Sequence, residues 1–597
     1  MESGRVLSLC LGALAMSAPS ILLGCTSGDG PSSGPVVWAA QPKPGPAGLP
    51  PAISGGTLLV QQDGSVVAAD PDRDVVWFID SDAQTVRGYV KLQAGDEPGR
   101  VVEDGAGRIH VALRRGGALV SIDPRTGTIL ERRAVCPAPR GIAYDVHSDT
   151  IHVACADGLL ATFPAAGGAA VREVHPDTDL RDVIVQDGVL YVSRFRTAEL
   201  LQLTTDGAVA QRTALPSATS SGPGLTTTSV PEVAYRTVAL PSGGVAMLHQ
   251  RAQQEAVATT PGGYTGGSCP GVGVVQNAVS FIQQGAAPAI APALMMLSLA
   301  VDVAVSSDGT QVAVAATSSR GGSAVYTYAV SDLQDALTNL DVPCIPPQPQ
   351  LNTGGQVIAV AFDPYNQVVS QQREPASITI QGNVIPLPAL GAGDEGHNIF
   401  HTGTGGGIAC ASCHPEGGDD GHVWTFTGIG ARRTQNLQGG VMDRMPFHWS
   451  GDIADMDALV SVVLVGRMGG AALDSAATTD LGAWMHRQPA LTAPAPADAA
   501  AVARGAIVFN DSATGCTGCH DGPQLSNHQL VDVGTGGVFK VPSLIGVGYR
   551  APYLHDGCAA SLSDRFTDAT CGGAQHGTTA QLGAGQISDL VAYLQSL

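Results

Sequence analysis

A chain of 597 residues is longer than one hydrophobic core supports, so two or three domains are expected. Hydrophobic residues make up 44% and charged residues only 14%, with 76 glycines and 39 prolines, the profile of a loop-rich, largely β, exported protein rather than a helical cytosolic one. The net charge of −21 argues against nucleic acid as a partner, because its phosphates would be repelled.

At the N-terminus Arg5 precedes an apolar run, "VLSLCLGALAMSAPSILLGC", too short and interrupted for a membrane span. It ends in Leu22-Leu23-Gly24-Cys25, which resembles a bacterial lipobox. This implies a signal peptide over residues 1–25, with lipid carried on Cys25; the competing reading is a plain signal peptide with an incidental cysteine. Residues 26–51 are rich in Gly, Pro and Ser and are expected to form a flexible tether. The compartment is then the periplasmic side of the cell envelope, with the anchor in the outer membrane as the only membrane contact.

Residues 52–385 are almost all short strand signals, apolar and β-branched runs broken by Gly, Asp and Pro. A weak repeat begins near Arg100 ("GRVVEDGAGRIHVALRRGGALVSID"), again at Arg140 and again at Arg181, a spacing of 40 and then 41 residues. Each unit reads strand, turn, strand, turn, strand, the period of a propeller blade. Later fragments such as "VDVAVSSDGTQVAVAAT" continue the style with longer insertions. The pattern resembles seven-bladed YVTN-type β-propellers, and a β-sandwich is the competing reading. The arginines are expected to stabilise blades, and the region reads as a scaffold or docking surface.

Two C-x-x-C-H motifs follow: Cys410, Cys413 and His414, then Cys516, Cys519 and His520. A zinc site would need two ligand pairs on one metal, whereas each motif lies in its own similar segment. A redox dithiol would sit in a βαβ setting, and none surrounds these cysteines. Covalent haem c attachment uses two thiols for thioether bonds and the adjacent His as axial ligand, and it needs export. Both flanks, "GHNIFHTGTGGGIACASCH" and "ARGAIVFNDSATGCTGCH", place a Gly and then an aromatic four residues on, before a Gly-containing loop. A duplicated motif with a duplicated flank favours two haem c groups, with His414 and His520 as proximal ligands. Of the 12 cysteines, Cys10 and Cys25 belong to the leader and four to the motifs. The even remainder suggests disulfides, with the neighbour pairing Cys136–Cys155, Cys269–Cys344 and Cys558–Cys571 as one of fifteen connectivities.

From about 390 to 597 the chain resembles the bacterial di-haem cytochrome c peroxidase and MauG superfamily, in the subgroup with an N-terminal propeller. The residues that carry it are "FKVPSLIGVGYRAPYLHDGCAASLSDRF", the closing "ISDLVAYLQSL", and "RRTQNLQGGVMDRMPFHWSGDIADMDALV" in the first segment. The resemblance implies two mainly α cytochrome c-like domains, 386–495 and 496–597. It also implies Trp449 as an electron bridge between the haems and a calcium ion whose ligands the sequence does not name. His555 would belong to the haem surroundings. No methionine follows Met485, so the distal residue of the second haem is expected to be His576 rather than Met. For the first haem the distal candidates are His448, His422 and Met468.

The chain departs from the pattern where the peroxidases carry a Gln and a Glu for proton transfer between the peroxide oxygens. Leu459 stands at the first position and Arg467 or Gly469 at the second, while Asp452, Asp455 and Asp457 read as a solvated helix start. The implied function is a periplasmic di-haem c oxidoreductase, reducing peroxide or activating oxygen at the first haem with electrons passed through the second. A small redox protein, a cytochrome c or a cupredoxin, would be the donor. The alternatives are a non-catalytic electron-transfer protein with the propeller as its partner-binding module, or a propeller binding module with vestigial haem domains.

Overall fold

The computed structural model describes residues 42–597 apart from 47, 223–224, 266–268, 270–272, 320–321, 339–343, 349–350 and 352. The leader, Cys10, the lipobox and Cys25 therefore lie outside the described residues.

Residues 58–386 form seven sheets arranged as the blades of a β-propeller, antiparallel throughout the described strands except where Ala293–Leu294 pairs in parallel with Cys344–Ile345 in the fifth. The first blade is typical: Leu58–Val60, Val66–Asp70, Val75–Asp80 and Thr85–Lys91, paired in sequence order. Turn signals between the β-branched runs make each blade a local meander. The middle strands are buried on both faces because neighbouring blades cover them, as in Val66–Asp70 and Ile109–Leu113. The second to fourth blades start with Pro98–Glu103, Pro139–Asp145 and Leu180–Gln186, so the repeating arginines sit near the start of three successive innermost strands.

The ring closes by packing, since the seventh blade (Val357–Pro386) is built of its own four consecutive strands. Trp77 and Ala68 of the first blade meet Ile378 and Ile380 of the seventh, and Gln371 accepts from Thr57 and donates to Ala69 O. Trp77 is fully buried with its Nε1 on Asp70, and truncating such a side chain costs about 3–5 kcal/mol. The fifth blade is enlarged by the long strands Leu225–Ala239 and Val245–Gln253. Val257, just beyond them, bridges to Phe426 in the segment that follows the propeller.

That following segment contains two copies of one helical arrangement. In the first, helix α1 (Glu395–His401) crosses α2 (Ser475–Arg487); in the second, α3 (Ala499–Asn510) crosses α4 (Ala584–Gln595). The Gly-x-x-x-aromatic pattern now has a reason. A Cβ on Gly396 would lie 2.2 Å from Asp480 O, and one on Gly505 would lie 1.9 Å from Asp589 O. Only glycine lets the helices approach this closely. The aromatic one turn later fills the crossing: Phe400 packs on Trp484 with ring centroids 4.7 Å apart, and Phe509 on Tyr593 at 5.2 Å.

One expectation is corrected. Residues 42–51 do not form a free tether: Pro44 O accepts from Leu390, Pro50 O accepts from Trp484 Nε1, and Tyr89 Oη donates to Pro42 O. An extended Pro- and Gly-rich segment leaves its carbonyls free to pair, and here propeller and helical residues pair with them. Among the described residues, no helix is long and apolar enough to cross a membrane.

Candidate functional site

Each motif lies just after the first helix of its copy. Cys410–Cys413 forms a single helical turn, and Cys516–Gly518 a single 3₁₀ turn. Three disulfides are present, Cys136–Cys155, Cys269–Cys344 and Cys558–Cys571, which are the neighbouring pairs in the sequence. Among the described residues the unpaired cysteines are the four of the motifs. Burial pushes the Cys410 thiol up to about 12 and Cys413 well above its usual range. The one cluster of metal-like spacing found among the described residues is Cys136, Cys155 and Asp157, whose sulfurs are joined to each other and not free to ligate.

Both motifs open onto one continuous cavity of about 580 Å³. Cys410, Cys413 and His414 line one end, Cys516, Cys519 and His520 the other, and Trp449 and His555 stand among the residues between. The walls are mostly apolar, from Phe400, Leu464, Met485, Phe509, Leu590 and Leu594. Each motif histidine is held at Nδ1 by a backbone carbonyl: His414 by Gly418 O at 3.1 Å and His520 by Leu525 O at 2.9 Å. That bond fixes the ring orientation and leaves Nε2 as the coordinating nitrogen.

At the second motif, His576 faces His520 with ring centroids 6.2 Å apart and planes 26° from parallel. Burial, then Arg565 and His520, bring His576 down to about 3, so the ring is neutral near pH 7, as a ligand must be. Arg565 Nε donates to His576 Nδ1 at 2.8 Å, which puts the ring proton on Nε2; ligation would require giving that proton up. Cys571, five residues before His576, ties this loop to Cys558 beside His555.

The two copies also share a loop. Phe447 bridges Ile453 around His448 (φ 65°) and Gly451 (φ 64°); Tyr553 bridges Ala559 around Leu554 (φ 72°) and Gly557 (φ 67°). Trp449 and His555 therefore occupy equivalent positions, and their rings lie 6.3 Å apart. Trp449 Nε1 donates to Arg433 O at 2.8 Å, and Trp449 O accepts from the Lys540 backbone at 2.7 Å. The buried Lys540 ammonium donates to Arg444 O and Pro446 O, so "KVP" of the second copy grips the Trp449 loop of the first. Burial and Arg444 lower Lys540 to about 8.

His448 and Met468 line the cavity on the first-motif side, and His448 Nδ1 bonds Asp452 Oδ1 at 3.1 Å. Asp452 is exposed, as expected, and pairs with His448 and Ser450, while Asp455 caps the helical turn at Met456–Leu459. His422 does not reach the cavity wall. Its Nδ1 pairs with Glu232 of the fifth blade at 2.9 Å, because Asp420 and Glu232 form a buried acidic pocket that draws it toward the propeller. Arg467 lines the cavity at the end of a π-helix, Val460–Arg467, and donates to Tyr264 of a propeller insertion at 3.4 Å. Such π segments are common at functional sites. Tyr264 had no motif signal, since only the tertiary packing of the insertion brings it to this wall.

Paired thiols with an adjacent carbonyl-held imidazole, repeated along an apolar cavity, have the donor set that covalent haem c attachment requires. No protein-family model matches the chain, and no curated protein sequence matches it. Among solved structures, a chain of Kuenenia stuttgartiensis hydrazine synthase superposes with a TM-score of 0.45 and 17% identity, over 56% of this chain and 96% of that one. Virginiamycin B lyase from Staphylococcus aureus superposes with a TM-score of 0.39 and 11% identity, over 55% of this chain and 94% of that one. Nothing in the reading of the site rests on these likenesses.

Proposed function

We propose that residues 386–495 and 496–597 are two cytochrome c-like domains, each holding one covalent haem c, and that the protein is a di-haem oxidoreductase of the cytochrome c peroxidase/MauG type. The observation that carries this reading is the convergence of both C-x-x-C-H motifs, with unpaired thiols, on a single apolar cavity that also contains Trp449. Cys410, Cys413 and His414 would hold the first haem, and Cys516, Cys519, His520 and His576 the second. The haems would supply one-electron chemistry and, at the first, peroxide or oxygen binding.

The protein's own residues have distinct tasks in this reading. Gly418 O and Leu525 O orient the two proximal imidazoles. Trp449, wedged between the copies and fixed at both its indole N–H and its carbonyl, gives a rigid aromatic path between them. His448, backed by Asp452, is the pair placed to hold or move a proton on the first-motif side, in place of the Glu the family uses. The mostly apolar walls lower the local polarity around both motifs. A small redox protein would deliver electrons, and the lipobox would keep the protein on the periplasmic face of the outer membrane.

One observation favours the non-catalytic electron-transfer alternative. Among the described residues lining the cavity, the carboxylates are Asp452 and Asp532, and Asp452 is already engaged. Haem quantification followed by low-temperature EPR of the half-reduced protein separates the readings. Two covalent haems per chain and a high-spin ferric signal that turns low-spin with cyanide support the enzyme. Two low-spin signals unmoved by cyanide support electron transfer, and a protein exported by a haem-attaching host without covalent haem refutes both.

A further inference from the structure

The three arginines of the blade repeat converge. Arg100, Arg140 and Arg181 stand at the mouth of the propeller where the innermost strands begin, joined there by Arg114 at the end of a second-blade strand. The plug in this basic mouth comes from the first motif loop. Glu416, two residues after His414, is only 6% exposed; its Oε1 lies 2.6 Å from Arg181 Nη1 and 3.5 Å from Arg114 Nη2, and its Oε2 meets Arg140 Nη1. Ser54 Oγ donates to the same carboxylate. Blades two, three and four thus each give one guanidinium to a single side chain. Glu416 has φ 54°, a conformation that costs a non-glycine residue free energy and that persists where surroundings over-determine it.

A second carboxylate of the loop is held in the same way. Asp419 Oδ1 lies 3.3 Å from Arg196 Nε of the fourth blade and 2.8 Å from Arg433 Nη2, and Asn436 donates to Oδ2 at 2.8 Å. Between the two clamped residues sits Gly418, whose carbonyl is the partner of His414 Nδ1 at 3.1 Å. Gln438 Nε2 closes the loop on Glu416 O at 3.1 Å. The partner that sets the imidazole's orientation is therefore itself fixed by the propeller.

We propose that Glu416 is a positioning residue for the first haem: through the propeller's arginine mouth it locks the loop that orients His414, so the propeller sets the ligation geometry and reduction potential of that iron. This inference rests on the di-haem reading. Because a buried negative charge near the iron favours the ferric state, Glu416→Gln should raise the midpoint of the first haem and shift its EPR g-values. Arg140→Gln, which leaves Glu416 two guanidiniums, should lower that midpoint. The second haem should move in neither variant.

The test is a potentiometric titration with EPR on the full-length protein, after both haems have been quantified. Unchanged first-haem midpoint and g-values in folded Glu416→Gln would overturn the proposal, as would equal shifts at both haems. Where Glu416→Gln does not fold, Arg140→Gln carries the same test, and an unmoved first haem overturns it. Absence of haem from the unsubstituted protein is a different result: it removes the di-haem reading itself.

Discussion

Gly505→Ala probes the helix crossing on which the second motif is mounted. The new Cβ would lie 1.9 Å from Asp589 O and 2.8 Å from Tyr593 Cβ, so α3 and α4 must separate. Overpacking of this kind costs about 1–3 kcal/mol, and more where backbone is struck. Alanine returns up to about 1 kcal/mol of helix propensity, leaving a net loss of roughly 1–2 kcal/mol. Gly585, near the start of α4, has nothing within 4 Å of its would-be Cβ, so Gly585→Ala should instead stabilise by about 0.4–1 kcal/mol. Hydrogen exchange read by mass spectrometry on α3 and α4 of the intact protein gives the opening free energy of this region. A loss of 1–2 kcal/mol appears as roughly 5–30-fold faster exchange, while Gly585→Ala should slow it. If Gly505→Ala exchanges no faster than the parent, the close crossing is not what requires glycine there.

Three further outcomes are expected. Cys516→Ala with Cys519→Ala should reduce covalent haem from two to one per chain, measured by absorbance of the denatured protein, and leave the spectrum of the first haem intact. His576→Ala should convert the second haem to a cyanide-reactive, high-spin centre in EPR; an unchanged low-spin signal would exclude His576 as its ligand. Asp182 gives a pH dependence. Burial would raise its carboxyl, but Arg100, Arg236 and Arg181 outweigh that and hold it at about 2. Its stabilising contribution is fully present above the ordinary carboxylate value of about 3.9 and is lost as pH falls through about 2. Asp182→Asn should destabilise the chain by about 3–5 kcal/mol in urea unfolding at pH 7, because Arg100 loses its carboxylate partner and Arg236 keeps only Asp302. That penalty should shrink as pH falls from about 4 to about 2, because the unfolded chain's carboxylate takes up its proton first and the native one only near about 2.

Much of this protein is legible locally. The 40-residue spacing of Arg100, Arg140 and Arg181 and the alternation of β-branched runs with Gly/Asp turns come from a blade being a local meander, so the propeller shows in sequence. The C-x-x-C-H motifs show because their two thiols and imidazole fall within five consecutive positions. The Gly-x-x-x-aromatic flank shows because a helix crossing needs a missing Cβ and a ring one turn later.

What tertiary structure decided is everything that depends on residues far apart in the chain. Arg140 and Arg181 look like blade-stabilising residues in sequence, yet their counter-charge is Glu416, some 235 positions from Arg181, and Arg114, without a signal of its own, joins them. His422 reads as a distal candidate by proximity to the motif, but the buried Glu232 of a propeller strand takes it instead. Tyr264 joins the cavity wall from an insertion without periodicity, and residues 42–51, flexible by composition, are docked because their carbonyls find donors in Leu390 and Trp484. The physical reason is the same in each case. Periodicity and spacing record forces between neighbours in the chain, whereas pairing of buried charges and carbonyls is satisfied by whichever partner the packed fold brings within hydrogen-bond reach.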